Sequence, residues 1–156
     1  MTDNADVKEM LERRIETLYD EQENIITPYW NEVITMEKKR GGGKFRNRLR
    51  LRSIKDDNSV RSEWVGIGWV AKRIDGTFFE KKIHISKPAN SFGYTMTKLF
   101  KFAHEWEKPI IWETETKLVG LRQELHHLTR ALISIRHAEN AEVKRQAKSD
   151  DENPYV

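Results

Sequence analysis

Four arginines, Arg46, Arg48, Arg50 and Arg52, occupy alternate positions in one short stretch of the chain. In an extended strand that spacing sets all four guanidinium groups on one face, roughly 6.7 Å apart, because a strand rises about 3.3 Å per residue. Extended single-stranded nucleic acid has a backbone repeat of similar size, and duplex DNA presents phosphates about every 3.4 Å along each strand. A ladder of this kind can therefore track a polyanion with little rearrangement. Arginine suits the task better than lysine, since its planar fork holds phosphate through two hydrogen bonds and matches the edge of guanine. The surrounding charge agrees: Lys38, Lys39, Arg40, Lys44 and Lys55 join the four arginines, and no acidic residue lies between 38 and 55. The whole chain is only +3, so the rest is net acidic and the basic charge is concentrated in one place. That polarity is the footprint of a polyanion-binding face. The competing account is a solvated strand whose arginines pair with glutamates from elsewhere or guard a sheet edge. A lipid surface would call for a basic amphipathic helix in place of the strand alternation seen here.

Other chemistry finds little support. With no cysteine, disulfides, thiolate nucleophiles and cysteine zinc sites are excluded, and a reducing cytoplasmic setting is expected. The five histidines, at 84, 104, 126, 127 and 137, form no metal spacing; His126 and His127 are neighbours and diverge by about 100° on a helix. Glu105, Glu107, Glu113 and Glu115 could serve a magnesium-dependent nuclease, although solvation of helix ends accounts for them more simply. There is no phosphate-cradling loop, because Gly41-Gly42-Gly43 leads into a strand where such a loop opens a helix. No catalytic residue, metal ligand or cofactor is assigned. No apolar run approaches a membrane span, and the acidic start lacks the parts of a signal peptide. The expectation is a soluble, cytoplasmic binding protein without enzymatic activity.

The elements that must position the ladder follow from periodicity. Val7, Met10, Leu11, Ile15, Leu18, Gln22, Ile25 and Ile26 repeat at helical spacing, predicting an amphipathic helix of about five turns. Thr27 before Pro28 matches a helix start, predicting a short second helix or a kink. Three strands are predicted near 45–53, 61–73 and 77–87, with turns at 56–59 and 74–76. A three-residue loop with Gly76 in the left-handed position pairs Arg73 with Thr77 and Ala71 with Phe79. Carried down the ribbon, this register sets Ile67 opposite Ile83, Val65 opposite Ile85 and Glu63 opposite Lys87. The apolar face would then hold Leu49, Leu51, Val65, Ile67, Trp69, Phe79, Ile83 and Ile85. The opposite face would carry the arginines with Trp64, Gly66, Gly68, Lys72, Lys82 and His84, and Glu80 as the acidic exception. On that face Lys44, Arg46, Arg48, Arg50, Arg52, Lys72, Lys82 and His84 would contact nucleic acid. Trp64 would stack on a base, and the glycines would leave room for a backbone.

Residues 94–107 read as a helix capped by Thr95 that covers the apolar face. Beyond Pro109, Leu118, Leu121, Leu125, Leu128, Leu132 and Ile135 alternate steps of three and four, the seam of a coiled coil. That seam could pack on the N-terminal helix of the same chain, on a second copy in a homodimer, or on a partner protein. The polar stretch 138–156 reads as a disordered tail. The expected architecture is α+β: a three-stranded antiparallel sheet covered on one face by a helix, with an N-terminal amphipathic helix and a long C-terminal heptad helix. Its segments are 1–37 (helical), 38–107 (nucleic-acid-binding core), 108–137 (heptad helix) and 138–156 (tail).

Several landmarks taken in order resemble one family. They are Tyr29-Trp30, the glycine-rich approach to Arg46, Arg48 and Arg50, Glu63-Trp64 with Trp69, and His84-Ile85 with Lys87. Tyr94, Phe100, Glu105-Trp106-Glu107, Glu115 and Leu121-Arg122 follow. Together, from about 18 to 136, they resemble the MobI family of conjugative-transfer proteins, accessory factors encoded by integrative conjugative elements and large mobile plasmids. The resemblance implies an auxiliary role at the origin of transfer, with DNA and the relaxase as partners. It does not imply the relaxase itself, whose two metal-binding histidines separated by one residue have no counterpart in His126-His127. The alternatives are an adaptor that recruits the relaxase through the leucine seam, and a general single-stranded nucleic-acid-binding protein.

Overall fold

Ile15, Leu18, Gln22, Ile26, Tyr29 and Val33 recur at steps of three and four straight through Pro28, and all six are buried. They lie along one continuous helix, α1 (Asp3–Lys39), with Pro28 inside it. The expected break at Thr27-Pro28 does not occur. Proline forfeits one backbone hydrogen bond in a helix interior. Here it sits on the exposed side, where water can satisfy the freed carbonyl. The computed structural model describes residues 3–42 and 46–152. After α1 come β1 (Leu49–Asp56), β2 (Ser59–Lys72), β3 (Phe78–His84), the short α2 (Met96–Phe100), one 3-10 turn (Glu105–Glu107) and α3 (Lys108–Glu152). The class is α+β, as the periodicities predict.

The three strands form an antiparallel sheet in the order β1-β2-β3. Both turns fall where expected. Asp57 and Asn58 link β1 to β2, with Asp57 at φ 56°. At the second turn Gly76, at φ 90°, donates to the Arg73 carbonyl (3.0 Å), and the Arg73 N–H donates to Thr77 (2.6 Å). Ala71 is opposite Phe79, as the three-residue loop requires. The register then slips by one between Ile67 and Trp69, leaving Gly68 as a bulge, so that Ile67 faces Lys82 and Val65 faces His84. The expected Ile67–Ile83 and Val65–Ile85 pairs are not formed.

On the other side of β2, Leu51 faces Trp64 and Leu49 faces Gly66. The leucines of β1 therefore share their face with Trp64 and Gly66, the reverse of the expected assignment. Val65 and Ile67 lie with the arginines. Alternation could not choose, because Trp64-Val65-Gly66-Ile67 is apolar or small on both sides. The helices decide it by covering the Trp64 face: Tyr29, Val33, Leu49, Leu51, Trp64, Tyr94, Leu99, Ile110, Ile111 and Leu118 form one core. The expected covering helix at 94–107 is only α2 and a 3-10 turn. Thr95 does cap α2, its hydroxyl accepting from the Lys98 N–H at 3.4 Å.

The leucine seam is filled from within the chain. Ile15 and Leu18 of α1 pack with Leu121, Leu125 and Leu132 of α3, flanked by Leu11 and Leu128; Leu118 is buried in the sheet core and Ile135 is half-buried. Arg14–Glu124 (2.9 Å), Lys8–Glu139 (3.3 Å) and Arg136–Glu12 (3.9 Å) fasten the antiparallel pair. The stretch expected to be a loose tail is helical as far as Glu152; 153–156 lie outside the described residues. Ala, Glu, Lys, Arg and Gln dominate 138–148, and strong helix formers extend an already nucleated helix without burying anything.

Candidate nucleic-acid interface

The basic segment is held by its backbone. The Asn47 N–H donates to Glu37 at the end of α1, and the Arg48 N–H donates to Glu107 ahead of α3 (3.2 Å). The Arg46 carbonyl meets His104 Nε2 at 3.0 Å. Glu107 is fully buried and also accepts from the His104 N–H (2.9 Å). Burial pushes its carboxyl up to about 7, opposed by these two backbone donors. Tyr29, buried beside it, has its hydroxyl pushed well above the usual range, first by burial and then by the charge of Glu107. With the N–H groups of Asn47 and Arg48 turned toward these carboxylates, β1 begins only at Leu49, although the Arg48 carbonyl still accepts from the Ile67 N–H of β2 at 2.9 Å.

The four arginines do not behave alike. Arg50 pairs with Glu80 and donates to the Asn47 carbonyl (2.9 Å), while Arg52 pairs with Glu63 at 3.0 Å. The carboxylates absent from the local sequence come from the neighbouring strands, so for these two the cross-pairing account holds. Among the described residues no carboxylate pairs with Arg46 or Arg48. Both are exposed, and Arg48 makes one 3.3 Å hydrogen bond to the Gly68 carbonyl at the bulge. A cleft of about 330 Å³ opens here, lined by Arg46, Asn47, Arg48, Arg50, Ile67, Gly68, Trp69, Val70 and Glu80. Its floor residue Ile67 and the adjacent Val65 are buried although they lie on the arginine face, as expected where arginine stems cover apolar surface. Lys38, Lys39 and Arg40 are exposed at the end of α1, where the Arg40 guanidinium lies 5.6 Å from the Trp106 ring.

The remaining expected contacts divide. Lys82 and His84 stand opposite Ile67 and Val65, and so share the arginine face; Lys72, paired with Phe78, lies on the same side farther out, and all three are exposed. Their agreement depends on the bulge, which offsets the reversal of β2. Trp64 does not belong here: it is 1% exposed, edge-on to Tyr29 at 5.2 Å. Nor does Gly66 leave room for a ligand backbone, since a Cβ there would meet the Phe102 ring at 2.6 Å. Lys44 lies outside the described residues. Trp69, expected in the core, is half-exposed at the cleft and edge-on to Phe79 at 5.2 Å.

Sequence reasoning missed a buried polar network on the other face. Glu115 accepts from Trp64 Nε1 (2.8 Å), the Tyr94 N–H (2.7 Å) and both terminal nitrogens of Arg122 (2.9 Å each). Arg122 also donates to Ser62 Oγ (2.9 Å) and the Phe92 carbonyl (3.0 Å). The helical spacing of Glu115 and Arg122 was a signal, since seven residues put both on one face. A larger cleft of about 630 Å³ adjoins Arg122 and Arg61. The first of these is consumed by the network and the second pairs with Glu63 and Asp56. Glu105 and Glu113 pair with Lys108 and Lys117, and among the described residues no three metal-ligating side chains converge. No helix among them is long and apolar enough to cross a membrane.

A helical hairpin packed on one face of a three-stranded antiparallel sheet, with a cleft lined by Arg46, Arg48 and Arg50 at the other, defines the α+β architecture. The family described as MobI protein matches residues 18–136, and the chain belongs to that family. It is thus a mobilisation-related protein, in agreement with the landmark residues. No curated protein and no solved structure matched the chain.

Proposed function

We propose that this protein is a DNA-binding accessory factor of conjugative transfer that acts at the origin of transfer, helps the relaxase initiate mobilisation, and grips DNA through the cleft at Arg46 and Arg48. The observation that carries the reading is the clamped segment 46–48. Its backbone is tied to Glu37, Glu107 and His104, while the side chains of Arg46 and Arg48 keep their charge for an external anion. Pre-positioned guanidinium groups lose little freedom on meeting a phosphate, which favours binding. Arg50 and Arg52 contribute less, because a phosphate must displace Glu80 or Glu63. Membership of the MobI family supports the mobilisation context. The adaptor alternative has less support, since α1 packs against the leucine seam.

A gel-shift salt titration with origin and random DNA tests the reading. Replacing Arg46 and Arg48 together with alanine should weaken binding about tenfold and lower the salt slope by about 2, one unit for each phosphate contact removed. The Arg50→Ala, Arg52→Ala pair should do less. Unchanged affinity and slope in the first double variant would remove the cleft from consideration. A magnesium-dependent nicking assay on supercoiled DNA should leave the plasmid intact; nicking would recast the protein as a nuclease.

A further inference from the structure

The β2–β3 hairpin outruns the rest of the sheet. Pairing with β1 ends at Gly66, whereas β2 and β3 stay paired out to Lys72 and Phe78. The free ribbon exposes Trp69, Val70 and Phe78, and Ile74 at its tip is fully exposed. A protein that needed only solubility would not gather such residues on one projection. Lys72, Arg73, Lys81 and Lys82 surround them. Lys72 Nζ sits 5.9 Å from the Phe78 ring, and the Arg73 guanidinium 5.2 Å from Phe79. The acidic residues of the ribbon are otherwise engaged: Glu80 pairs with Arg50, and Asp75 accepts from the Thr77 hydroxyl (2.6 Å) and N–H (2.9 Å).

We propose that this hairpin is an arm that enters a groove of duplex DNA and wedges Ile74 between adjacent base pairs, kinking the duplex. The inference rests on the DNA-binding reading above and adds to it the duplex as ligand and the kink as consequence. Four cations along the ribbon match the two phosphate backbones that border a groove, and an apolar protein partner would not call for them. A two-stranded ribbon has the width to enter a groove, and apolar side chains at such tips unstack base steps. Trp69 and Val70, at the root of the arm, line the same cleft as Arg46 and Arg48, so arm and cleft form one continuous surface.

The test uses the full chain with two random-sequence duplexes, one carrying donor and acceptor dyes at its ends and the other an internal fluorescent aminopurine. Wild-type protein should draw the ends together, as a kink of roughly 20–90° would do, and raise aminopurine emission as the base unstacks. Ile74→Ser should abolish the emission and most of the bend, with affinity falling by less than about tenfold because the phosphate contacts remain. Ile74→Leu should retain both signals; since position 74 is fully exposed, neither variant disturbs the core. A straight duplex and silent aminopurine, with binding that still depends on Arg46 and Arg48, would overturn the arm and leave the DNA-binding reading standing. Failure to bind these duplexes and origin DNA alike would sink both. Self-association by sedimentation that disappears in Ile74→Ser and Phe78→Ser would assign the patch to a second copy of this chain and overturn the proposal.

Discussion

Glu107 couples the basic segment to pH. Its carboxyl, buried and with no cationic partner in hydrogen-bond contact among the described residues, is pushed by burial up to about 7 in the folded protein from an ordinary value of 4.5. Between those values the native state holds a proton that the unfolded state has released, so stability falls as pH rises through the window. The stabilisation is complete below about pH 4.5 and lost above about pH 7, with a size on the order of 3 kcal/mol. Urea titrations across this range should show the wild-type midpoint declining relative to that of Glu107→Gln, whose amide does not ionise. The glutamine variant should itself be less stable by about 1–3 kcal/mol at low pH, because one of the two backbone donors, Arg48 or His104, would then face an NH2 group. Parallel pH curves for the two proteins would show that Glu107 does not titrate there. Glu115 has a cationic partner: two of its four hydrogen bonds tie α3 to β2 at Trp64 and to the loop before α2 at Tyr94, and the other two hold Arg122 of the same helix. Loss of one partner from a pair buried this deeply typically costs about 3–5 kcal/mol.

Among the elements, α1 stands out because it holds the whole fold while containing a proline. Its buried stripe touches the sheet core at Ile26, Tyr29 and Val33 and the helical pair at Ile15 and Leu18. Tertiary packing thus keeps straight a helix that propensity alone would divide. Pro28→Ala should restore a backbone hydrogen bond at an exposed position and raise stability by about 1–3 kcal/mol, measured by urea unfolding. A loss of stability would mean that the proline ring contributes packing its exposure does not suggest. The β2–β3 hairpin is the opposite kind of element. Its local turn chemistry set the register near Gly76, and a single bulge at Gly68 changed every pairing beyond it.

At the scale of the whole molecule, covered and uncovered surfaces are separated. One face of the sheet is sealed by α1, α2 and α3; the other, with the arginine cleft and the arm, has no layer over it among the described residues. The far end of α3 belongs to neither. Residues 143–151 are all exposed, and α1 begins at Asp3, close to the point where Lys8 pairs with Glu139. A chain ending after Glu142 should keep its far-ultraviolet spectrum per helical residue and unfold within about 0.5 kcal/mol of the full chain, the range usual for changes at an exposed surface. A larger loss would show that the end of α3 supports the clasp.

By itself the sequence determined whatever depends on neighbours in the chain. Helical periodicity marked the first five turns of α1 and the leucine seam, turn residues marked both hairpins and the loop type at Gly76, and alternation placed Arg50 and Arg52 on one face of β1. Tertiary structure decided what depends on a partner distant in sequence. Which face of β2 turns inward was undetermined, because Trp64-Val65-Gly66-Ile67 can be buried on either side; the helices took Trp64 and left Val65 and Ile67 beneath the arginines. The charges that neutralise Arg50 and Arg52 arrive from Glu80 and Glu63 on other strands, so a count of local acidic residues overstated the free ladder. The seam found its partner in α1, because a leucine stripe specifies a complementary apolar surface without specifying which segment supplies it.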